Sequence, residues 1–200
     1  MVTTYKNLFG TFSVDTAKDK YITKGFVDSI HPHKDETETL LRYITPESVV
    51  VDIGAHIGTM SVPFAKIAKE VHAFEPITEN LALLRQNLVQ NSVENVVVHE
   101  VALGSREGSV NLTTDNEAST ASYKVSGAGT IEMRTLDSFS LSPSLIKIDA
   151  EGYEPMVLEG ARETIHSCRP IVFFELFMPF LREHLHALAR IEDVLKGYSF

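Results

Sequence analysis

Five mostly apolar runs, each five or six residues long, constrain the fold of this chain more than any other feature of its sequence. They read VVVDI (49–53), VHAFE (71–75), VVVHEV (96–101), LIKID (145–149) and IVFFEL (171–176). Continuous apolar runs of this length, rich in β-branched residues, are typical of strands that are buried on both faces of a sheet. The sequence therefore predicts a sheet that is covered on both sides.

Helical patterns separate most of these runs. They cover residues 60–69, 78–91, 155–166 and about 180–196. Strands that alternate with helices form a mostly parallel sheet with helices on both faces, so we predict a doubly wound α/β fold. After the last run, residues 176–200 offer room for one helix and the beginning of a strand, and we expect the sheet to lack a complete C-terminal strand hairpin.

Two regions depart from this alternation. Residues 1–35 have the pattern of an irregular hairpin, which we expect to cover the mouth of the binding site, and residues 36–200 form the main domain. Residues 104–140 are rich in Ser, Thr and Gly, and GSVNLTT and GTIEMRTL within them predict short antiparallel strands. A chain of 200 residues suits one domain with such appendages.

Composition narrows the partners and the compartment. The formal charge is −9 and the basic residues are scattered singly, which argues against a nucleic-acid partner or an anionic membrane surface. The single cysteine, Cys168, excludes an internal disulfide and fits a reducing cytoplasm. The most apolar window, IVFFELFMPFL, is far shorter than the roughly 20 residues that a membrane span needs. We therefore expect a cytoplasmic protein without a membrane span.

The segment VVVDIGAHIG ends a predicted strand in a loop with two glycines. Ligands of open parallel sheets bind beyond the carboxyl ends of the strands, where this loop lies. Gly54 permits a tight turn, and Gly58 lets the following helix pack closely. Glu75 ends the next predicted strand, and its spacing from Asp52 is typical of an acid that accepts both hydroxyls of a ribose. With Pro76 beside it to press against an adenine, the pattern predicts an adenosine site.

Charge selects among adenosine cofactors. Carboxylates end several of the predicted strands, at Asp52, Asp149, Glu151 and Glu175. A pyrophosphate among them would cost on the order of several kcal/mol at an effective dielectric near 20, which disfavours a nicotinamide oxidoreductase. S-adenosylmethionine carries a sulfonium and an ammonium and no phosphate. We therefore predict it as the cofactor, with Asp52 meeting its positive charge and S-adenosylhomocysteine as the product.

Whole motifs of this sequence also resemble a known family. VVVDIGAHIG, VHAFEP, ENLALLRQNLVQN, VVVHEVALG, RTLDSF, LIKIDAEGYEPMVLEGA and RPIVFFEL occur in this order. Over about residues 35–178 they closely resemble the FkbM-type S-adenosylmethionine-dependent methyltransferases, and KIDAEGYE after the TLD segment is the most specific part. The resemblance implies the Rossmann-like class I methyltransferase fold and O-methylation of a hydroxyl on a sugar, a glycan or a small secondary metabolite.

The resemblance and the loop pattern together imply a set of cofactor-binding residues. In chain order they are Asp52, Gly54, Ala55, His56, Gly58, Glu75, Pro76, Val101, Ala102, Leu103 and Asp149. The first five would line the methionine half, the next two would meet ribose and adenine, the following three would flank the adenine, and the last would lie under the sulfonium. His56 stands where the family often has Asn. Glu151 and Glu154 would belong to the acceptor side.

Methyl transfer to a hydroxyl requires alignment and a base. The candidate catalytic residues are Asp149, Glu151 and Glu175, since carboxylates crowded at neighbouring strand ends raise one another's pKa. His33, in the polar segment IHPHKDE, is a further candidate for acceptor contact if the N-terminal segment folds over the mouth. Two histidines that flank a proline in such a segment are, however, more often solvated.

Several alternatives stay open. Strand-end carboxylates also suit Mg²⁺, but the sequence lacks an Asp–Asn pair to complete such a site, so a metal-assisted O-methyltransferase is less favoured. The short C-terminal end motivates another interpretation, a methyltransferase-fold binding or scaffold protein with weak turnover or none. N-methylation of the acceptor and a homodimer formed through the apolar stripe of residues 180–196 are not decided by the sequence.

Overall fold

The computed structural model describes residues 1–28, 31–114, 123–125, 127–175 and 186–199. Its strands are, in chain order, β1 (Val2–Lys6), β2 (Thr11–Asp15), β3 (Val49–Ile53), β4 (Glu70–Phe74), β5 (Val96–His99), β6 (Ala102–Leu103), β7 (Gly108–Val110), β8 (Leu112–Thr114), β9 (Tyr123–Val125), β10 (Ile131–Arg134), β11 (Leu145–Ile148) and β12 (Ile171–Phe174). Its helices are α1 (Lys20–Asp28), α2 (Lys34–Leu41), α3 (Ser61–Ala65), α4 (Thr78–Gln90), α5 (Glu154–Glu159), α6 (Arg162–Cys168) and α7 (His186–Val194), with a short 3-10 helix at Leu136–Phe139. Within the described ranges, no helix combines the length and the apolar character that crossing a membrane requires.

Five of the strands form the central sheet. Their order is β12-β11-β3-β4-β5, and every neighbouring pair is parallel. The predicted doubly wound α/β fold is confirmed, because helices cover both faces of this sheet. From β3 the chain continues to β4 on one side, whereas β11 joins β3 on the other side. Such a topological switch point opens a crevice for ligands at the carboxyl ends of the strands.

Alternate residues of β3 bury the two faces of the sheet. On one face Val51 packs in a cluster with Val157 of α5 and Ile191 of α7. On the other face Val50 packs with Phe64 of α3. All five side chains are buried, and the apolar area that they remove from water stabilises the sheet by about 25 cal/mol per Å².

The N-terminal region begins with an antiparallel hairpin of β1 and β2. Asn87 of α4 holds this hairpin in place, since its Oδ1 accepts from the Ser13 N–H at 2.7 Å and its Nδ2 donates to the Ser13 carbonyl at 3.2 Å. The predicted hairpin is thus observed only as far as Asp15. Two helices follow it, and α1 was not predicted because its segment KYITKGFVD contains Gly25, a residue type that disfavours a helix interior. The proposed domain boundary stays a prediction.

The helical pattern predicted over residues 155–166 divides into α5 and α6. The break follows Gly160, which lies against the chain at Gly104 so closely that an added Cβ would be 2.0 Å from the Gly104 carbonyl oxygen. The helix predicted at 180–196 corresponds to α7, and residues 180–185 lie outside the described part of the chain. The incomplete C-terminal end of the sheet stays a prediction.

Two small sheets lie beside the central one. In the first, β10 pairs in parallel with β6 and antiparallel with β7. In the second, β8 pairs antiparallel with β9. The short antiparallel strands predicted between residues 104 and 140 are therefore present.

Candidate active site

A cavity of about 660 Å³ lies at the carboxyl ends of β3, β4 and β11, and its volume is typical of a small-molecule site. Most of the residues that the sequence proposed for the site line this cavity. They are His33, Gly54, Ala55, His56, Glu75, Pro76, Val101, Ala102, Leu103, Asp149, Glu151, Glu154 and Glu175. Two proposed residues, Asp52 and Gly58, are not among those that line it.

The loop after β3 fits tightly between two neighbours. Gly54 has a φ of +73°, and a Cβ at this residue would be 1.9 Å from the Asp149 carbonyl oxygen. The N–H groups of Gly54 and Ala55 both donate to the Phe74 carbonyl, at 3.0 and 3.1 Å. Gly58 instead faces α4, where an added Cβ would be 2.6 Å from Leu84 Cδ1. The expected close packing of the helix is observed at Gly58, but the expected contact with the methionine half is not supported by its location.

Asp52 differs most from its expected role. Its side chain is fully buried, its Oδ2 accepts from the Ser61 hydroxyl at 2.5 Å, and its Oδ1 lies 3.2 Å from the Lys147 ammonium. The charge that we expected to meet the cofactor is therefore met by a cation of the protein. Lys147 neighbours Asp52 across the parallel pair of β11 and β3, which explains the contact.

Lys147 is a charged cavity-lining residue that the sequence analysis missed. It lines the cavity, is 4% exposed, donates to the Gly54 carbonyl at 3.0 Å and lies 3.6 Å from Asp149 Oδ2. Burial lowers the Lys147 pKa, but the charges of Asp52 and Asp149 outweigh burial and hold the pKa above its ordinary value. A lysine within the buried run LIKID was the available signal, because a buried ammonium requires carboxylate partners.

Glu75 follows β4, and its carboxylate accepts hydrogen bonds from the loop after β3 and from the loop after β4. Its Oε2 accepts from the His56 N–H at 2.8 Å, and its Oε1 accepts from the Ile77 N–H at 2.9 Å and from Asn80 Nδ2 at 3.3 Å. Burial raises the Glu75 pKa, and the hydrogen bonds from the two backbone N–H groups oppose that rise. The carboxyl group is oriented before any ligand arrives.

The adenine side that the sequence proposed is an apolar wall. Val101, Ala102 and Leu103 line the cavity, and Phe74 and Ile77 line it with them. Ala102 and Leu103 form β6, which β10 supports. The flat face of an aromatic ring can pack against such a wall.

The carboxyl groups at the other end of the cavity are crowded. Burial raises the pKa of Glu151 to about 7, with further contributions from Asp149 and Glu175. Burial raises the Glu175 pKa as well, and Asp149 adds to the rise. The Tyr21 pKa is raised by burial and by Glu36 and Glu175, so α1 and α2 face the same acidic group. We call Glu36, Asp149, Glu151 and Glu175 the acidic mouth.

Glu154 lines the cavity, but its carboxylate closes a turn. Its Oε1 accepts from the N–H groups of Ala150 at 2.9 Å and Gly152 at 3.0 Å, and the side chain is buried. Burial raises its pKa, and the same hydrogen bonds oppose the rise. An acceptor role for Glu154 stays a prediction.

The two histidines of IHPHKDE have different surroundings. His31 is buried, its Nδ1 lies 3.3 Å from Asn7 Nδ2, and burial lowers its pKa to about 4. His33 lines the cavity beside Glu36, and burial lowers its pKa too. His31 is therefore structural, and His33 is the one that can reach an acceptor.

The donor set of the cavity suits a cationic cofactor better than a phosphate. Among the described lining residues, Lys147 is the only Lys or Arg, and two carboxylates already neutralise it. No group of three or more His, Cys, Asp or Glu in the described chain is arranged to hold a metal ion. S-adenosylmethionine, with its sulfonium and ammonium, fits this set.

Comparison with known proteins decides the family. The family description Methyltransferase FkbM domain matches residues 52–200. The chain belongs to the FkbM methyltransferase family. It therefore carries an S-adenosylmethionine-dependent methyltransferase domain, as the motifs in its sequence predicted.

Individual relatives of this FkbM domain are distant. The chain is 24% identical over 180 residues to the hexuronic acid methyltransferase AglP of Haloferax volcanii, and the match covers 86% of this chain and 70% of AglP. A crystal structure of an FkbM methyltransferase from Methylobacillus flagellatus KT has a TM-score of 0.57 at 22% identity and covers 76% of this chain. The present chain spans only 38% of that protein.

A second solved structure supports the fold over nearly the whole chain. The TYW2 protein of M. jannaschii, solved in complex with AdoMet, has a TM-score of 0.57 at 16% identity and covers 98% of this chain and 72% of its own. At such identities the likeness is one of fold. The predicted class I methyltransferase fold is confirmed.

Proposed function

We propose that this FkbM-family chain methylates a hydroxyl group of a sugar or of a similarly hydroxylated small molecule. The observation that carries the proposal is Glu151, a cavity-lining carboxyl group whose pKa is raised to about 7 beside Asp149 and Glu175. A hydroxyl is a weak acid, so its methylation gains from a base whose pKa lies near the working pH.

Each part of the cofactor has a suitable surface in the cavity. Glu75 would accept the ribose hydroxyls with the lone pairs that its bonds to backbone N–H groups leave available. The adenine would lie against Ala102 and Leu103, and the methionine half would lie along the loop of Gly54 and His56. Bound S-adenosylmethionine would supply an electrophilic methyl group on a positively charged sulfur.

The chain's own task is to align the acceptor and to take its proton. Ionised Glu151 would accept the hydroxyl proton while the acceptor oxygen bonds to the methyl carbon and the carbon–sulfur bond breaks. Asp149 and Glu175 keep the Glu151 pKa high because nearby negative charges disfavour ionisation. Protonated Glu151 would then return its proton to solvent for the next cycle.

The charge of the acidic mouth bears on the acceptor. The relative AglP is named for a hexuronic acid, which supports a sugar acceptor for this chain. A free carboxylate would, however, meet Glu36, Glu151 and Glu175, and each like-charge contact at about 4 Å costs about 4 kcal/mol at an effective dielectric of 20. We therefore propose an uncharged sugar hydroxyl as the acceptor.

The test measures release of S-adenosylhomocysteine from S-adenosylmethionine with a panel of acceptors. The panel pairs neutral glycosides with the matching uronic acids and includes a catechol. Every acceptor is run with and without EDTA, because loss of turnover with EDTA would favour metal assistance. Turnover of a neutral glycoside above that of its uronic acid is the expected result. Turnover of the uronic acids alone, or binding of S-adenosylhomocysteine without turnover of any acceptor, contradicts the proposal.

A further inference from the structure

The N-terminal part of the chain contributes to the cavity although the family match begins at residue 52. Tyr21 and Ile22 of α1, and His33 and Glu36 at the start of α2, line the cavity together with the residues of the FkbM domain. We call residues 1–28 and 31–41 the N-terminal cap. We call residues 54–58, which follow β3, the cofactor loop. The position of the cap relative to this loop depends on the contacts between them.

One short polar contact between side chains joins the cap to the cofactor loop. His56 Nε2 lies 3.1 Å from Asp19 Oδ2, and the two side chains are 13% and 2% exposed. His56 lies two residues after Gly54, in the loop that follows β3. Because both side chains are largely buried, solvent screens this contact little. Its geometry is therefore better defined than that of a contact between exposed side chains.

On the cap side, Asp19 also orders the first turn of α1. Its Oδ1 accepts from the Ile22 N–H at 3.0 Å, and its backbone carbonyl accepts from the Thr23 N–H at 3.2 Å. The two residues that follow Lys20 are Tyr21 and Ile22, which line the cavity. The same carboxylate therefore contacts the cofactor loop and fixes the end of α1 that carries Tyr21 and Ile22. We call this part of the cavity lining the acceptor wall, because Tyr21 lies near the acidic mouth.

On the loop side, His56 also contacts the proposed ribose carboxylate. Its backbone N–H donates to Glu75 Oε2 at 2.8 Å. The backbone of His56 is left-handed, with a φ of +53°. In this conformation its N–H donates to Glu75 while its imidazole lies beside Asp19. A ribose bound at Glu75 would therefore restrain the backbone of His56, and with it the imidazole that contacts Asp19.

We propose that Asp19 and His56 are positioning residues that couple occupancy of the cofactor loop to the placement of α1 in the acceptor wall. This inference rests on the proposed function, because it requires that the loop binds S-adenosylmethionine. The hairpin of the cap is held separately, by the bonds of Asn87 to Ser13 and by the ammonium of Lys66 on the Phe9 carbonyl. Loss of the Asp19–His56 contact should therefore loosen the first turn of α1 without undocking the cap, because Ile22 and Phe26 stay packed against Ala55 and Ile57.

The experiment measures hydrogen exchange of the α1 amides with and without S-adenosylhomocysteine. In the wild-type protein we expect the ligand to slow their exchange about fivefold, the lower end of typical coupling between sites. His56→Asn keeps the backbone, since Asn tolerates the left-handed region, and Asp19→Asn keeps an oxygen for the helix end. Each variant should lose this slowing and, by reciprocity, bind S-adenosylhomocysteine about fivefold more weakly.

Asp28→Asn, at the exposed C-terminal end of α1, is the charge-matched control and should behave as wild type. The double variant should lose no more than either single variant, because both remove the same contact. A purely structural pair would change exchange equally with and without the ligand, and that result overturns the inference. Ligand binding that leaves wild-type α1 exchange unchanged overturns it too, whereas failure of the wild type to bind the ligand overturns the proposed function itself.

Discussion

The carboxylates in and behind the cavity fall into two groups that have different surroundings. On the cofactor side, Asp52 is paired with Lys147 and Ser61, and Glu75 accepts from two backbone N–H groups. On the acceptor side, Glu151 and Glu175 of the acidic mouth lie beside other carboxyl groups, which add to the rise in pKa that burial causes at Glu75 as well.

This difference separates structural from reactive carboxylates. A carboxylate that accepts from fixed donors is oriented by them and orients the groups around it in turn, which suits recognition of a cofactor. A carboxyl group surrounded by others of like charge releases its proton only near neutral pH, which suits proton transfer. The same residue type therefore has different chemical properties in the two groups, because its neighbours differ.

The largest expected effect concerns the cofactor side. Lys147→Met leaves Asp52 as a buried, uncompensated charge, so we expect the free energy of unfolding to fall by about 3–5 kcal/mol. Urea denaturation measures the change. Asp52→Asn combined with Lys147→Met removes both charges and should recover most of the loss, and exposed Lys69→Met serves as the control. Wild-type stability of Lys147→Met would mean that Asp52 is not held by this pair.

On the acceptor side the expected effect is on rate. Glu151→Gln removes the proposed base, and we expect kcat to fall about 100-fold with little change in KM for the cofactor. Turnover is measured by release of S-adenosylhomocysteine with the best neutral glycoside of the panel. Glu175→Gln is the matched variant and should lose less, because Glu175 acts on Glu151 through its charge. A larger loss at Glu175 would exchange the roles of the two residues.

A smaller effect is expected for cofactor affinity. Glu75→Gln exchanges one carboxylate oxygen for an NH₂ group, which cannot accept from both the backbone and a ribose hydroxyl. We expect S-adenosylhomocysteine to bind about tenfold more weakly, or about 1.4 kcal/mol, by calorimetry. Exposed Glu79→Gln in the same segment provides the control. Equal affinity in the two variants would remove Glu75 from the ribose site.

The strands of the central sheet could be predicted from sequence because each is a continuous apolar run. VVVDI, for example, is β3 from its first residue to its last. Such runs can be recognised because the hydrophobicity of a segment and the period of its apolar residues indicate which residues are buried. The short helix α1 was not predicted although its apolar residues lie on one side, because Gly25 lies in its interior and glycine disfavours helices.

The partners of charged residues could not be predicted in the same way. Asp52 and Asp149 were both assigned to the cofactor because both end strands, yet only Asp149 lines the cavity. The pairing of Asp52 with Lys147 depends on the register between β3 and β11, and the contact of His56 with Asp19 joins segments far apart in the chain. Such long-range contacts are set by topology, which a local pattern does not contain.

The last expected effect is on the pH dependence of stability. Burial and neighbouring carboxylates raise the pKa of Glu151 from 4.5 to about 7 in the folded chain. A group with a raised pKa stabilises the fold fully below its unfolded pKa and loses that contribution as pH rises through its folded pKa. We therefore expect the wild-type free energy of unfolding to decline between about pH 4.5 and 7 relative to Glu151→Gln, as urea midpoints would show.

Glu175 contributes in the same direction in both proteins, so only the difference between them isolates Glu151. If the free energies of unfolding of the two proteins change with pH in parallel, Glu151 is exposed to water rather than surrounded by the carboxyl groups of the acidic mouth. That result would contradict the distinction between the two groups of carboxylates.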